Sequence, residues 1–155
     1  ANAVDKAMVL DDGRNWRNRL NRLVSFPGAK TALRFMVKTL PPAMLEVAHE
    51  LQAKGIDSTL AQDKQNHRLR LEILHGEEVD FVYEVRLIEG IKPVFALGQA
   101  GNLASAGEQE KYYRAEVFLQ DGSQDYDIVG YTKEQIIIDI LSQYERHMQF
   151  LHLER

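Results

Sequence analysis

Apolar residues in the first third of the chain recur at helical spacing. Within residues 14–25 they lie three to four positions apart with arginines between them, which predicts a basic amphipathic helix. A second helical stretch over residues 30–39 would place Leu33, Val37 and Leu40 on one side. The pair Pro41 and Pro42 is expected to interrupt the chain, although proline is also acceptable in the first turn of a helix. A further helix is predicted to end near Lys54 and to bury Met44, Val47, Ala48 and Leu51.

After Gly55 the apolar period changes to two, which is typical of half-buried antiparallel strands. The clearest alternation covers residues 68–73, 81–87 and 113–119, and weaker strands are predicted near 58–62, 94–97 and 125–129. Short turns at residues 75–78 and at Asp121-Gly122 would join neighbouring strands as hairpins. The pattern therefore predicts an antiparallel sheet of five or six strands.

The final third ends in the most strongly periodic helix of the sequence. Thr132 and Gln135 have the spacing of a capping box, in which each side chain satisfies an early amide of the helix. Apolar residues then continue at helical spacing as Ile136, Ile137, Ile140, Leu141, Tyr144, Met148 and Leu151. The predicted fold class is α+β: N-terminal helices, the sheet, and a long C-terminal helix packed on one face of the sheet.

Charge divides the chain into two unequal parts. Residues 1–40 carry eight basic and three acidic side chains, a net charge of +5, whereas the remainder carries −9. The chain has no cysteine, which excludes disulfides and thiolate sites, and it has no apolar run long enough to span a membrane. We expect a chain that is soluble by itself, and its opening without methionine suggests a piece cut from a longer protein.

The sequence offers little support for catalysis, and we predict no enzyme, no cofactor and no metal site. Its five histidines lack the spacing of a metal motif, and the acidic residues Asp121, Asp125 and Asp127 form an incomplete calcium loop. Three carboxylates are predicted on the outward, water-facing side of the sheet among arginines, where cross-strand charge pairing explains them. These carboxylates are Glu72, Glu84 and Glu116, and their arginine neighbours are Arg68, Arg70, Arg86 and Arg114.

The arginines of the first predicted helix, Arg14, Arg17, Arg19 and Arg22, are the candidate site residues. One interpretation is a helix whose apolar side packs on the domain while the arginines are merely solvated. A second interpretation is contact with anionic lipid. Nucleic acid is the weakest alternative, because no binding motif is present and the acidic body would repel phosphates.

Several long phrases of the sequence resemble one protein family. Residues 111–155, the phrase EEVDFVYEVR at 77–86, and NWRNRL with VSFP at 15–20 and 24–27 closely resemble the C-terminal tail of bacterial choline transporters of the betaine/carnitine/choline transporter family. The resemblance implies that residues 1–13 are a tether from the last membrane span. It implies that residues 14–155 are a single cytoplasmic regulatory domain, associated in this family with the response of transport to osmotic strength.

The resemblance also implies partners and a location. The partners would be the membrane-embedded part of the same transporter and anionic lipid, with a homo-oligomer as a further candidate and no nucleic acid, at the cytoplasmic face of the bacterial inner membrane. Salt would act by screening, since the Debye length falls from about 10 Å at 0.1 M to about 3 Å at 1 M. The alternative is a free-standing cytosolic module that binds a ligand or a protein.

Overall fold

A computed structural model of the chain describes Trp16, Arg17, Leu20 and residues 28–91 and 111–153. The chain divides into two units, and nearly all described residues belong to the one made of Pro27–Ile91 and Lys111–Arg155. The predicted tether at 1–13 and the predicted strand at 94–97 lie outside the described residues. All the helices and strands with defined bounds belong to the larger unit.

Two helices follow each other without a break at the start of this unit. Helix α1 covers Ala29–Arg34, a π-helical turn covers Phe35–Thr39, and helix α2 covers Leu40–Ala53. The Leu40 amide donates to the Phe35 carbonyl five residues back, which defines the wider turn.

The chain is not interrupted at Pro41 and Pro42, which instead lie in the first turn of α2, where the sequence analysis accepted proline. A proline ring clashes with the carbonyl four residues earlier in an α-helix, and the chain avoids this by widening the turn before the prolines rather than by stopping. The wider turn also shifts the helical register, so that Val37 is 61% exposed whereas Leu40 is fully buried. Met44, Val47, Ala48 and Leu51 are buried as predicted.

The five described strands form an antiparallel meander in which each strand pairs with the next along the chain. Gly76 and Gly122, with φ of 65° and 115°, supply the left-handed residues of the two tight hairpin turns that the sequence predicted. The register shifts between Ile73 and Leu74 and again between Glu116 and Phe118. The strands are β1 Ser58–Asp63, β2 Arg68–His75, β3 Glu78–Ile91, β4 Lys111–Leu119 and β5 Gly122–Asp127.

Helix α3, Lys133–Leu153, completes the α+β fold predicted from the sequence. Its capping box is present: the Gln135 amide donates to Thr132 Oγ1 over 3.2 Å, and the Thr132 amide donates to Gln135 Oε1 over 2.9 Å. The buried faces of α1, α2 and α3 meet the alternate strand residues that include Leu71, Phe81 and Val117 in one hydrophobic core. No described helix is long and apolar enough to cross a membrane.

Candidate functional site

The structure describes only part of the predicted basic helix. Arg17 lies in a helical segment with its guanidinium carbon 4.5 Å from the centre of the Trp16 ring, a cation–π contact. Trp16 is 53% and Leu20 is 50% exposed, so about half of each apolar side chain still faces solvent. The other candidate arginines, Arg14, Arg19 and Arg22, lie outside the described residues.

The three outward carboxylates of the sheet are all bound to arginines. Arg70 Nε lies 2.6 Å from Glu72 Oε1, and Arg70 Nη1 reaches Glu84 on the next strand at 3.5 Å. Arg86 binds the second oxygen of Glu84, and Arg114 Nη2 lies 2.6 Å from Glu116 Oε1. The contact between Arg70 and Glu84 confirms cross-strand charge pairing.

The expectation that this outward face is simply water-facing is wrong at Glu84. This residue is only 5% exposed, because Arg70 and Arg86 flank it and Arg86 also lies 3.9 Å over the Phe118 ring. A buried carboxylate between two guanidinium groups keeps its charge compensated. The arrangement gives Glu84 a structural role.

A second polar cluster, which the sequence interpretation missed, anchors helix α3 to the sheet. The hydroxyls of Tyr83 and Tyr126 both donate to Asp139 Oδ2, over 2.5 Å and 2.6 Å, and Gln143 Nε2 donates to the Tyr126 hydroxyl over 3.0 Å. Burial, together with the negative charge of Asp139, raises the pKa of Tyr83 well above its usual range. Burial and the hydrogen bond to Asp139 also raise the pKa of Tyr126.

The far end of α3 borders a groove of about 440 Å³. Phe81 and His147 line this groove, and their ring centres are 5.5 Å apart. His147 Nε2 also lies 3.3 Å from Asp80 Oδ1, and the centre of the Phe81 ring lies 5.2 Å from that of Tyr144. The exposed rim includes Phe150. The groove is therefore lined by both aromatic and charged side chains.

The acidic run after β4 has a structural role. Asp127 Oδ1 accepts hydrogen bonds from the Ala115 and Val129 amides at 2.8 Å and 3.0 Å, and Asp121 Oδ1 accepts one from Gln124. Asp125 occupies the left-handed region at φ 66° within the irregular pairing of β4 and β5. Across the described part of the chain, no three acidic or histidine side chains converge as ligands of a metal ion.

The chain is similar to bacterial transporters over nearly its whole length. It is 40% identical over 155 residues to the high-affinity choline transport protein of Escherichia coli, which covers 97% of this chain and 22% of that protein. It is 38% identical over 148 residues to the osmo-dependent choline transporter BetT2 of Acinetobacter baylyi, covering 91% of this chain and 20% of that protein. A glycine betaine transporter of the same organism is 33% identical over 148 residues.

The chain is homologous to a segment of bacterial choline and betaine transporters. The resemblance to the C-terminal part of choline transporters of the betaine/carnitine/choline family is thereby confirmed. No protein-family model matches the chain. The chain spans about a fifth of the length of the curated relatives it matches. The relatives named here are transporters and not enzymes.

Proposed function

We propose that the chain is the regulatory domain of a transporter for choline or a related quaternary ammonium compound, held at the cytoplasmic face of the bacterial inner membrane. It modulates transport through ionic-strength-dependent contacts with the membrane or the transporter core. The observation that carries this proposal is the similarity, over 91% of the chain, to a transporter whose name describes it as osmo-dependent. The domain has no catalytic role in this proposal.

The charge distribution supports a contact that responds to salt. Between Asp12 and Glu46 the sequence contains seven basic residues and no acidic one. Each basic residue near an anionic surface contributes about 1 kcal/mol, and this attraction decreases within a Debye length as salt rises. A contact of this kind weakens as the cytoplasm concentrates, and a two-state transporter that differs in the contact would shift its populations.

The test is transport by the full-length protein with all four candidate arginines replaced, as Arg14→Gln, Arg17→Gln, Arg19→Gln and Arg22→Gln. We expect the variant to insert into the membrane and to transport substrate. Its curve of transport rate against osmotic strength should be flattened or displaced. The matched control replaces four cations of the folded body, as Lys54→Gln, Lys111→Gln, Lys133→Gln and Arg146→Gln; Lys133 is half-buried and the other three are exposed. An unchanged activation curve in the arginine variant would refute the proposed role of these residues.

The sequence encoded upstream of Ala1 distinguishes this proposal from a free-standing module. A transporter requires several apolar stretches of about 20 residues there. A start codon directly before this segment would instead favour the cytosolic binding module.

A further inference from the structure

A groove of about 430 Å³ lies between the helical layer and the connection from β1 to β2, and we call it the β1–β2 groove. Its helical side is apolar, because Met36, Val37 and Pro41 line it, and Val37 is 61% exposed. The hairpin supplies the other lining residues, which are Gln62, Asp63, Lys64, His67, Arg68 and Leu69. Sites for small molecules usually have volumes of about 300–1,000 Å³, so this groove has room for an organic ligand.

Two cations of the β1–β2 groove have no acid bound to them within the described part of the chain. Lys64 is exposed, Arg68 is half-buried, and neither forms an ion pair with a described residue. The residue opposite Arg68 on β3 is Arg86, which carries a like charge. Like charges in direct cross-strand pairs destabilise a sheet, so this pair is not explained by the stability of the fold. It leaves the Arg68 guanidinium available for an anion.

The one carboxylate that lines the groove belongs to Asp63, which lies opposite Arg68 on β1. Its Oδ1 accepts a hydrogen bond from the Asn66 backbone amide over 3.1 Å, and its Oδ2 accepts one from Asn66 Nδ2 over 2.8 Å. Asp63 therefore closes the turn instead of forming an ion pair with Arg68. The positive charges of Lys64 and Arg68 exceed its single negative charge, so the groove favours an anionic ligand.

His67 is the strained residue of this turn. Its φ of 51° lies in the left-handed region, which glycine adopts most readily. The turn is fixed there, because the His67 carbonyl accepts a hydrogen bond from the Leu87 amide of β3 over 3.0 Å. Residues held in such conformations are concentrated at ligand sites, and the His67 side chain lines the groove together with Lys64 and Arg68.

We propose that the β1–β2 groove binds a small soluble phosphate ester with an apolar group, of the class of the nucleoside monophosphates. Arg68 binds the phosphate through its planar guanidinium, which matches phosphate oxygens, and Lys64 and His67 are further donors. The flat face of the base packs on Val37 and Pro41, an apolar surface that inorganic phosphate would leave unused. This inference goes beyond the proposed function, because it gives the domain a soluble ligand in addition to a salt-dependent contact.

NMR titration of the 155-residue chain with AMP, adenosine and inorganic phosphate tests the inference. We expect AMP to bind about tenfold more tightly than either fragment, or better, because only AMP contacts both the basic and the apolar side of the groove. Lys64→Gln with Arg68→Gln should weaken AMP binding about 100-fold, since each removes a charged hydrogen-bond donor. Val37→Ser should weaken the binding of AMP but not that of inorganic phosphate. The matched control, Lys54→Gln with Lys111→Gln, changes the formal charge equally and should bind AMP as the parent does.

Two single variants separate a ligand role from a structural one. Lys64→Gln alone changes an exposed residue and should weaken AMP binding about tenfold, even if Arg68→Gln lowers the stability of the hairpin. His67→Gly removes the imidazole and relieves the left-handed strain. We expect this variant to resist urea as well as the parent does and to bind AMP about tenfold more weakly. Unchanged affinity in His67→Gly would overturn the role assigned to the imidazole.

Several other outcomes overturn the inference. No binding of AMP by the parent, or parent-like binding by the variant of Lys64 and Arg68, would exclude the groove as a nucleotide site. Inorganic phosphate bound as tightly as AMP would show that the apolar side contributes nothing. Binding of phosphatidylglycerol vesicles through Lys64 and Arg68, without binding of AMP, would assign the groove to a lipid headgroup. None of these results concerns the osmotic response of transport, which tests the proposed function separately.

Discussion

At the residue scale, Asp139 joins the helical layer to the sheet. It accepts hydrogen bonds from Tyr83 on β3 and Tyr126 on β5, both through Oδ2. Asp139→Ala would leave both hydroxyls without this acceptor, one of them in a fully buried tyrosine. Hydrogen bonds to a charged group contribute about 1.5–3 kcal/mol each, so we expect a loss of about 3 kcal/mol in the free energy of unfolding, measured by urea denaturation.

Glu145→Ala is the matched control for this substitution, because Glu145 is an exposed acid on the same helix. We expect it to change the free energy of unfolding by no more than about 0.5 kcal/mol. If Asp139→Ala were as mild as the control, the two tyrosine hydrogen bonds would not stabilise the fold.

Tyr83 also gives the domain a specific sensitivity to alkaline pH. Its pKa in the folded state is raised by burial and by Asp139, whereas an unfolded tyrosine titrates near 10. Its contribution to stability is therefore complete below pH 10 and is lost as the pH rises towards the folded-state pKa, by up to about 1.4 kcal/mol per pH unit. We expect Tyr83→Phe to flatten the decline of stability above pH 10, measured by urea unfolding at a series of pH values. Tyr112→Phe is the control, and equal slopes for the parent and Tyr83→Phe would contradict the assignment.

At the element scale, the start of α3 depends on its capping box. Removing the hydroxyl with Thr132→Ala leaves the Gln135 amide without its acceptor, and we expect a loss of about 1 kcal/mol in the free energy of unfolding. Ser142→Ala, at an exposed position in the middle of the same helix, should be neutral or slightly stabilising. A thermal or urea unfolding series on the two variants measures the difference. Equal effects would show that the cap is dispensable.

The elements that could be predicted from the sequence are those with a local signal. The alternation of apolar and polar residues correctly predicted the positions of the three central strands, β2, β3 and β4. The spacing of Thr132 and Gln135 correctly predicted where α3 starts. The sequence carries no such signal for the π-helical turn, because a helical period is identified by assuming the same number of residues in every turn. A constant period placed Val37 and Leu40 on the same side of the helix, whereas Val37 is mostly exposed and Leu40 is fully buried.

The polar clusters were harder to predict because they join residues distant in the sequence. Tyr83 and Asp139 are 56 positions apart, and alternation alone marked Tyr83 as an ordinary inward residue. The signal that was available is an acid placed between Ile136 and Ile140, both of which are fully buried. Likewise, the outward position of Glu84 followed from alternation, but its burial depends on two arginines and on the Phe118 ring that Arg86 covers.

At the scale of the whole molecule, every described core residue lies between Ala32 and Ile140 in the larger unit. Ile91 at the end of β3 pairs directly with Lys111 at the start of β4, so the chain leaves and re-enters the sheet at neighbouring positions. The nineteen residues from Lys92 to Glu110 connect these two ends. The fold of the larger unit should therefore tolerate a much shorter connection.

Replacing residues 92–110 by Asn-Gly should give a tight hairpin, since this dipeptide favours the turn whose twist matches paired strands. Because a shorter loop costs less entropy to close, we expect unfolding to stay cooperative, with a free energy equal to that of the parent or higher by up to about 2 kcal/mol. A Gly/Ser segment of the original length is the control and should match the parent. A loss of more than about 2 kcal/mol would mean that residues 92–110 stabilise the larger unit.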